Sequence, residues 1–451
     1  MKKPAEPTAV DSAEAGRSRR AETPRSALAR LHDGERDPNA ILEEQNASRL
    51  QDLVPLRRER MSASAFTFYR GTAAIMAADL AQEAHSGILV AACGDAHVSN
   101  FGFYASPQRT LLFDLNDFDE AAWAPWEWDL KRLVTSIVIA GRANGRDRDI
   151  IIDAATAAVG AYLQATRAIA DLDPVTRYFT HFDPAVRATT LDRRSRRALD
   201  AALADAQKRT GARAARRLTE VAADGTRRFR EAPPAMVRAD ADVEAVIASA
   251  LEGYLASANI DVRMLLRHHV VLGVARRAVG VGSVGTRCHI ALLGDPDGNT
   301  LILQVKEAGR SVLEQYGGIE QPDLVCHLVD GAGEGARVVG LQRILQAYSD
   351  PFLGHLVGAG GQFGYYVRQF HDMKGSIDME TLDDKPFARY AEACAIVLAR
   401  AHAQSGRGRE ITGYAGKGPR ITSHLLEWCL GYADRAEADY EVFRAGFSPT
   451  V

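Results

Sequence analysis

Apolar and polar positions change rhythm several times along this chain of 451 residues. Residues 1–25 are rich in Pro, Ala, Glu, Arg and Ser and offer little apolar surface to offset ordering entropy, so a disordered tail is expected there. From 26 to 62 the pattern predicts short, charge-rich helices. The stretch 71–84 (GTAAIMAADLAQEA) sets Ile75, Met76 and Leu80 on one stripe, which predicts a helix. ILVAAC (88–93) has the length of a strand, and TLLFDLNDF (110–118) predicts a second one after a turn at Ser106–Pro107. A helix follows in LKRLVTSIVIAGRA. Residues 150–260 carry a helical pattern broken at Asp173–Pro174, Asp183–Pro184 and Pro233–Pro234. Near 270 the character changes, as VVLGVARRAVGVGSVGTRCHIALLG mixes β-branched residues with glycines and Asp295–Asn299 signals a turn. LILQVKEA (301–308), ARVVGLQRIL (336–345) and FGYYVRQF (363–370) complete an expected antiparallel unit over roughly 270–370. The remainder returns to helix.

Composition narrows this picture only a little. Apolar residues make up 46% and charged residues 25%, so a core of ordinary size is available. A net charge of −3 gives no nucleic-acid footprint, and the Arg-rich stretches 192–197 and 208–217 fit solvated helix faces. Five scattered cysteines without a CxxC pair point to reduced thiols and away from a zinc site. No run of 18 apolar residues is found and residues 1–25 lack an apolar core segment, so the expectation is a cytoplasmic protein without membrane contact.

The chemistry gathers in two neighbouring segments and one distant one. In GDAHVSN, Asp95 at a strand end is followed five residues later by Asn100, the spacing of kinase catalytic loops. There the Asp accepts the nucleophile's proton and the Asn oxygen helps hold Mg2+; a Gly-Asp turn with a capping Asn is the plain alternative. FDLNDFDE then sets Asp114, Asn116, Asp117, Asp119 and Glu120 within seven residues threaded with Leu and Phe. Carboxylates so placed need a cation to offset their repulsion. Asp117 is the first choice as metal ligand, with Asp114 its rival and Asp119 and Asn100 further candidates. Far downstream, GVGSVGT carries Gly280, Gly282, Ser283 and Gly285 between strand-like flanks, and Lys306 sits inside an apolar strand. A buried ammonium needs a partner. The kinase arrangement gives it one, since a glycine-rich hairpin covers phosphates while a Lys on the next strand pairs with a helix Glu. Glu314 is the candidate partner, with Glu320 the alternative. Arg70 suits either a phosphate contact or an acidic partner, and His97 either a metal or a steadied turn.

FTFYRGTAAIMAADL, CGDAHVSNFG, FDLNDFDEAAWAPWEWDLKRLVTS, LQVKEA, YYVRQFHDMKGS and LARAHAQSG together resemble the bacterial domain of unknown function 2252 family, over about residues 45–430. The resemblance implies membership of a wider kinase-like group similar to aminoglycoside and choline phosphotransferases. In that group a GDxxxxN loop precedes a metal-binding Asp and then an Asp that braces the loop. Asp129, twelve positions after Asp117 (117 to 129), matches the bracing residue. Cys93 stands where the group carries His.

The expected fold is α+β: a two-lobed, protein-kinase-like fold, circularly permuted because the catalytic loop precedes the glycine turn and Lys306. Residues 26–265 and 373–451 would form a large, mostly helical lobe, and 266–372 a small antiparallel β lobe. The expected function is ATP- and Mg2+-dependent phosphoryl transfer to a hydroxyl of a small molecule or protein. A nucleotide-binding module without catalysis, an adenylyl-transferring relative and a metal-dependent phosphoesterase are the alternatives.

Overall fold

The computed structural model describes residues 9–223, 225–357, 364–370 and 373–446. The first surprise lies in the stretch expected to be disordered, which contains a helix, α1 (Ala9–Glu22). Two short antiparallel pairs follow. Strand β1 (Leu89–Ala92) pairs with β4 (Ala122–Pro125), and between them β2 (Phe101–Ala105) pairs with β3 (Leu111–Leu115). The two segments singled out for their chemistry are the connections β1–β2 and β3–β4.

Helix α2 (Trp126–Ala143) is buried over nearly its whole length. Its apolar residues belong to the core, and charged ones are buried with partners: Asp129 meets His402, Lys131 Glu83 and Arg132 Asp95. It packs with α3 (Arg148–Ala170), α5 (Asp384–Ala403) and α7 (Pro419–Ala445), and their apolar faces share one core with β1 to β4.

The second body is a six-stranded antiparallel sheet. Its strands are β5 (Met236–Arg238), β6 (Val270–Arg277), β7 (Cys288–Gly294), β8 (Thr300–Ala308), β9 (Gly354–Val357) and β10 (Gly364–Gln369). They lie side by side in the order β9-β10-β8-β7-β6-β5. Register places Lys306 of β8 between Cys288 and Tyr366. Separate core clusters cover the sheet's two faces.

Three local expectations are corrected. ARVVGLQRIL is the second half of a helix, α4 (Asp323–Leu345), which kinks at Gly333 (φ 75°). Val338, Leu341, Gln342 and Leu345 are buried at helical spacing, and that period outweighs the strand preference of two valines. Within 150–260, β5 and the small pair Thr219–Val221 with Arg227–Phe229 interrupt the helices; three-residue strands are too short to show a period of two. Finally, α1 is ordered by contact. Its Gly16 faces the backbone of Glu410, and Gly413 faces that of Ala13, so helix α6 (Gly408–Ala415) comes up backbone to backbone. Arg20 then donates to the terminal carbonyls of Tyr414 (2.9 Å) and Gly413, which α6 leaves unpaired. Phe363 and the His371–Asp372 pair of two expected motifs lie outside the described residues.

Candidate functional site

The chain leaving β1 turns at Gly94 (φ 79°), where a side chain would run into the Glu120 carbonyl, so glycine is required. This turn is held from beneath. Asp129, in the first turn of α2, accepts from the backbone N–H of Cys93 (2.7 Å) and Gly94 (3.0 Å). His402 Nε2 lies 3.1 Å from Asp129 Oδ2, and His402 Nδ1 lies 2.8 Å from the Tyr162 hydroxyl. Asp129 thus braces the loop, with the LARAHAQ end of α5 beneath it. Cys93 contributes its backbone N–H to this contact. Burial, with Asp129 adding to it, pushes its thiol pKa well above the usual range and keeps it neutral.

Asp95 lies beyond the turn in an ion pair with Arg132, at 2.8 and 2.9 Å. Arg132 comes three residues after Asp129 on α2 and therefore shares its face. Burial pushes the Asp95 carboxyl up to about 6, against the pull of Arg132 and with Asp117 adding to the rise. Asn100 donates from Nδ2 to the Asp95 carbonyl (2.8 Å), and its own carbonyl accepts from the Asn116 N–H (3.0 Å). That second bond ties the GDAHVSN loop to the end of β3, directly before Asp117.

Asp117 Oδ1 is buried and has no hydrogen-bond partner among the described residues. A bare, buried carboxylate oxygen costs several kcal/mol unless a cation or donor meets it. Two positions on, Asp119 is fully engaged, paired with Lys306 and accepting from the Tyr366 hydroxyl at 2.6 Å. Burial alone would lower the Lys306 pKa, but Asp119 raises it above the usual lysine range, so the ammonium stays charged. Burial pushes Glu120 up to about 7, although it accepts from the Val312 N–H at 2.8 Å.

A cavity of about 780 Å3 collects Asp95, Asn100, Asp117 and Asp119 on one wall and Gly280, Gly282 and Ser283 on another. The glycine segment is the turn between β6 and β7, with Gly280 and Gly285 at positive φ (71° and 92°). Residues far upstream fasten it: Arg60 donates to the Gly280 carbonyl (2.7 Å), Arg49 to Val284 (2.5 Å) and the Leu50 N–H to Gly285 (2.8 Å). A smaller cavity of about 330 Å3 is lined by Asn116, Val279, Gln304, Arg368, Phe370 and Lys374. Burial, with Arg368 adding to it, lowers the Lys374 ammonium to about 8.

Several expected residues fall elsewhere. Asp114 is not on the cleft, because its two oxygens accept from the N–H groups of Leu115 and Ala347 at 2.8 Å each. Being inside β3, it is surrounded by backbone donors. Glu314 pairs with Arg310 (2.7 Å) and Glu320 is exposed, so neither is the partner of Lys306; Asp119 is. The short helix Val312–Gln315 follows β8 too soon to fold back over it. Lys306 and Gly285 lie one contact behind the cavity wall, through Asp119 and Arg49 respectively. Sequence reasoning missed Arg132, His402, Tyr366 and Arg49. Only Arg132 had a local signal, its helical spacing from Asp129.

A family model described as an uncharacterized protein conserved in bacteria, DUF2252, matches residues 49–446. The chain belongs to the DUF2252 family. Searches among curated proteins and among solved structures give no match. The DUF2252 match begins at Arg49, so it takes in every cleft residue named above and leaves α1 outside. No helix of the described residues is long and apolar enough to cross a membrane, and none of their His, Cys, Asp and Glu side chains form a metal-holding cluster of three or more.

Proposed function

We propose that this DUF2252 chain is an ATP- and Mg2+-dependent phosphotransferase with a circularly permuted, kinase-like fold. The carrying observation is the convergence of the bare Asp117 carboxylate, Asp95 and Asn100 with a glycine turn and Lys306 from a sheet far downstream. The sheet supports the same reading. Strands β6, β7 and β8 are adjacent, the glycine turn joins the first two, the Lys stands on the third and a long helix, α4, follows.

On this reading the nucleoside enters the smaller cavity, where Val279 and Phe370 offer apolar faces and Gln304 an amide. Arg368 and Lys374 then line the path of the phosphates towards Asp117, with the Lys306 charge behind Asp119. Mg2+ fits a site of few protein ligands, Asp117 and the Asn100 oxygen, because it commonly takes one or two carboxylates together with substrate phosphates. When bound there it supplies neutralisation of phosphate charge. Asp95 receives the acceptor's hydroxyl proton as that oxygen bonds to the terminal phosphorus. The bond from phosphorus to the bridging oxygen breaks, and its electron pair leaves with ADP. Arg132 keeps Asp95 ionised and aimed into the cleft.

Thermal shift with ATP tests this. ATP and Mg2+ together should stabilise the protein more than either alone, and Asp117→Ala should weaken Mg·ATP affinity at least about tenfold. No Mg2+-dependent shift in the wild type would sink the proposal. Product analysis then separates phosphoryl transfer (ADP) from adenylyl transfer (AMP or pyrophosphate).

A further inference from the structure

The larger cavity holds two arginines that the proposed chemistry does not use. Most of its acids are already matched: Asp95 by Arg132, Asp119 by Lys306, Glu307 by Arg287 and Glu334 by Arg337. Glu120 accepts a backbone N–H. Asp117 is assigned to the cation. Two guanidinium groups on the same wall are left over. Arg70 makes no hydrogen bond and no ion pair with any described residue, and its Nε is buried. Arg49 gives one N–H to the Val284 carbonyl, leaves a buried Nε without a partner and pairs with no described carboxylate.

Arg70 is held by its helix, and Arg49 by its bond to Val284 and its packing on Gly285. Arg70 ends the helix Ala65–Arg70, whose start is locked by a capping box between Ser64 and Thr67. Its backbone carbonyl lies against Gly282, with only 3.2 Å to spare for an added Cβ. Its charge lies within electrostatic reach of Asp95 and Asp117, on the side where an acceptor hydroxyl would approach. Both side chains are only partly buried and line the cavity, so the guanidinium donors they leave unused there can receive an anion. Arginine's planar fork suits carboxylate or phosphate oxygens.

We infer that the acceptor is an anionic small molecule, a phosphorylated or carboxylated hydroxyl compound, whose charged group seats on Arg70 and Arg49. This rests on the phosphotransferase reading. The nucleotide's phosphates have their own cations in Lys306, Arg368 and Lys374, so the arginines are free to select the second substrate.

The test is calorimetric titration of inorganic phosphate, and separately of acetate, into the full chain. Each is done with and without saturating Mg2+ and a non-hydrolysable ATP analogue. At least one anion should bind alongside the analogue, and Arg70→Gln should weaken it tenfold or more while analogue affinity stays within threefold. Arg49→Gln, read in the same way, carries the test if Arg70→Gln does not fold. Competition between anion and analogue, or anion binding untouched by both variants, would overturn the inference. If the analogue fails to bind while phosphate still depends on Arg70, the anion site stands and the phosphotransferase reading fails.

Discussion

At the scale of single residues the proposal depends on Asp95 being ionised when the acceptor arrives. Its carboxyl is pushed up to about 6 by burial, held back by Arg132. A base must be deprotonated to act, so turnover should rise with pH through about 6 and level off above it. Arg132→Gln removes the group that lowers this pKa, so the limb should move to higher pH; a limb that stays put would mean that Asp95 is not the titrating base. Asp95→Asn should cut kcat by about a hundredfold to ten-thousandfold, the usual worth of a positioned general base, with Mg·ATP affinity nearly unchanged. That Asp95, Asn100 and Asp117 share one cavity was legible in the chain because they lie within one short stretch. Asp114 was the misleading neighbour. Three positions from Asp117, it has the same chemistry, but a place inside β3 gives it backbone donors that the residue past the strand end lacks.

Elements show how the turn at Gly94 and Asp95 is kept in place. Asp129 accepts two backbone N–H bonds and meets His402, itself set by Tyr162, so α2, α3 and α5 all bear on one carboxylate. Asp129→Asn keeps the shape but loses the charge and turns one acceptor into a donor facing N–H groups. Hydrogen bonds to charged groups contribute about 1.5–3 kcal/mol, so the variant should lose roughly that much stability and show a lower urea midpoint. Turnover should fall with it, since Gly94 and Asp95 share the turn. An unchanged midpoint would show that the turn stands without this brace. Asp129 was implied by the resemblance to the kinase-like group, whereas no local signal marked His402, 273 positions away, as its partner. The same limit explains α4. Its valines gave a strand-like local signal, and only the face on which Val338, Leu341 and Leu345 are buried together reveals the helix.

For the whole molecule the question is what joins the sheet to the helical body. Chain order was readable, because the glycine turn and Lys306 come after Asp95 and Asp117. The joint was not, because Lys306 and Asp119 are 187 positions apart and nothing near either names the other. Lys306 is buried and Asp119 partly so, and Tyr366 on β10 adds a hydrogen bond to the same carboxylate, so one ion pair spans the two bodies beside the proposed metal ligand. Breaking a buried pair by removing one partner usually costs about 3–5 kcal/mol, because the other charge is stranded, whereas removing both charges costs much less. Lys306→Met should therefore lower the urea midpoint well below that of Asp119→Asn combined with Lys306→Met. Both variants should lose Mg·ATP binding, since each lacks the ammonium proposed to bind phosphate. The contrast between the two measurements is what matters. If the double variant is the less stable one, the pair is not the joint between the bodies, and Lys306 serves only the nucleotide.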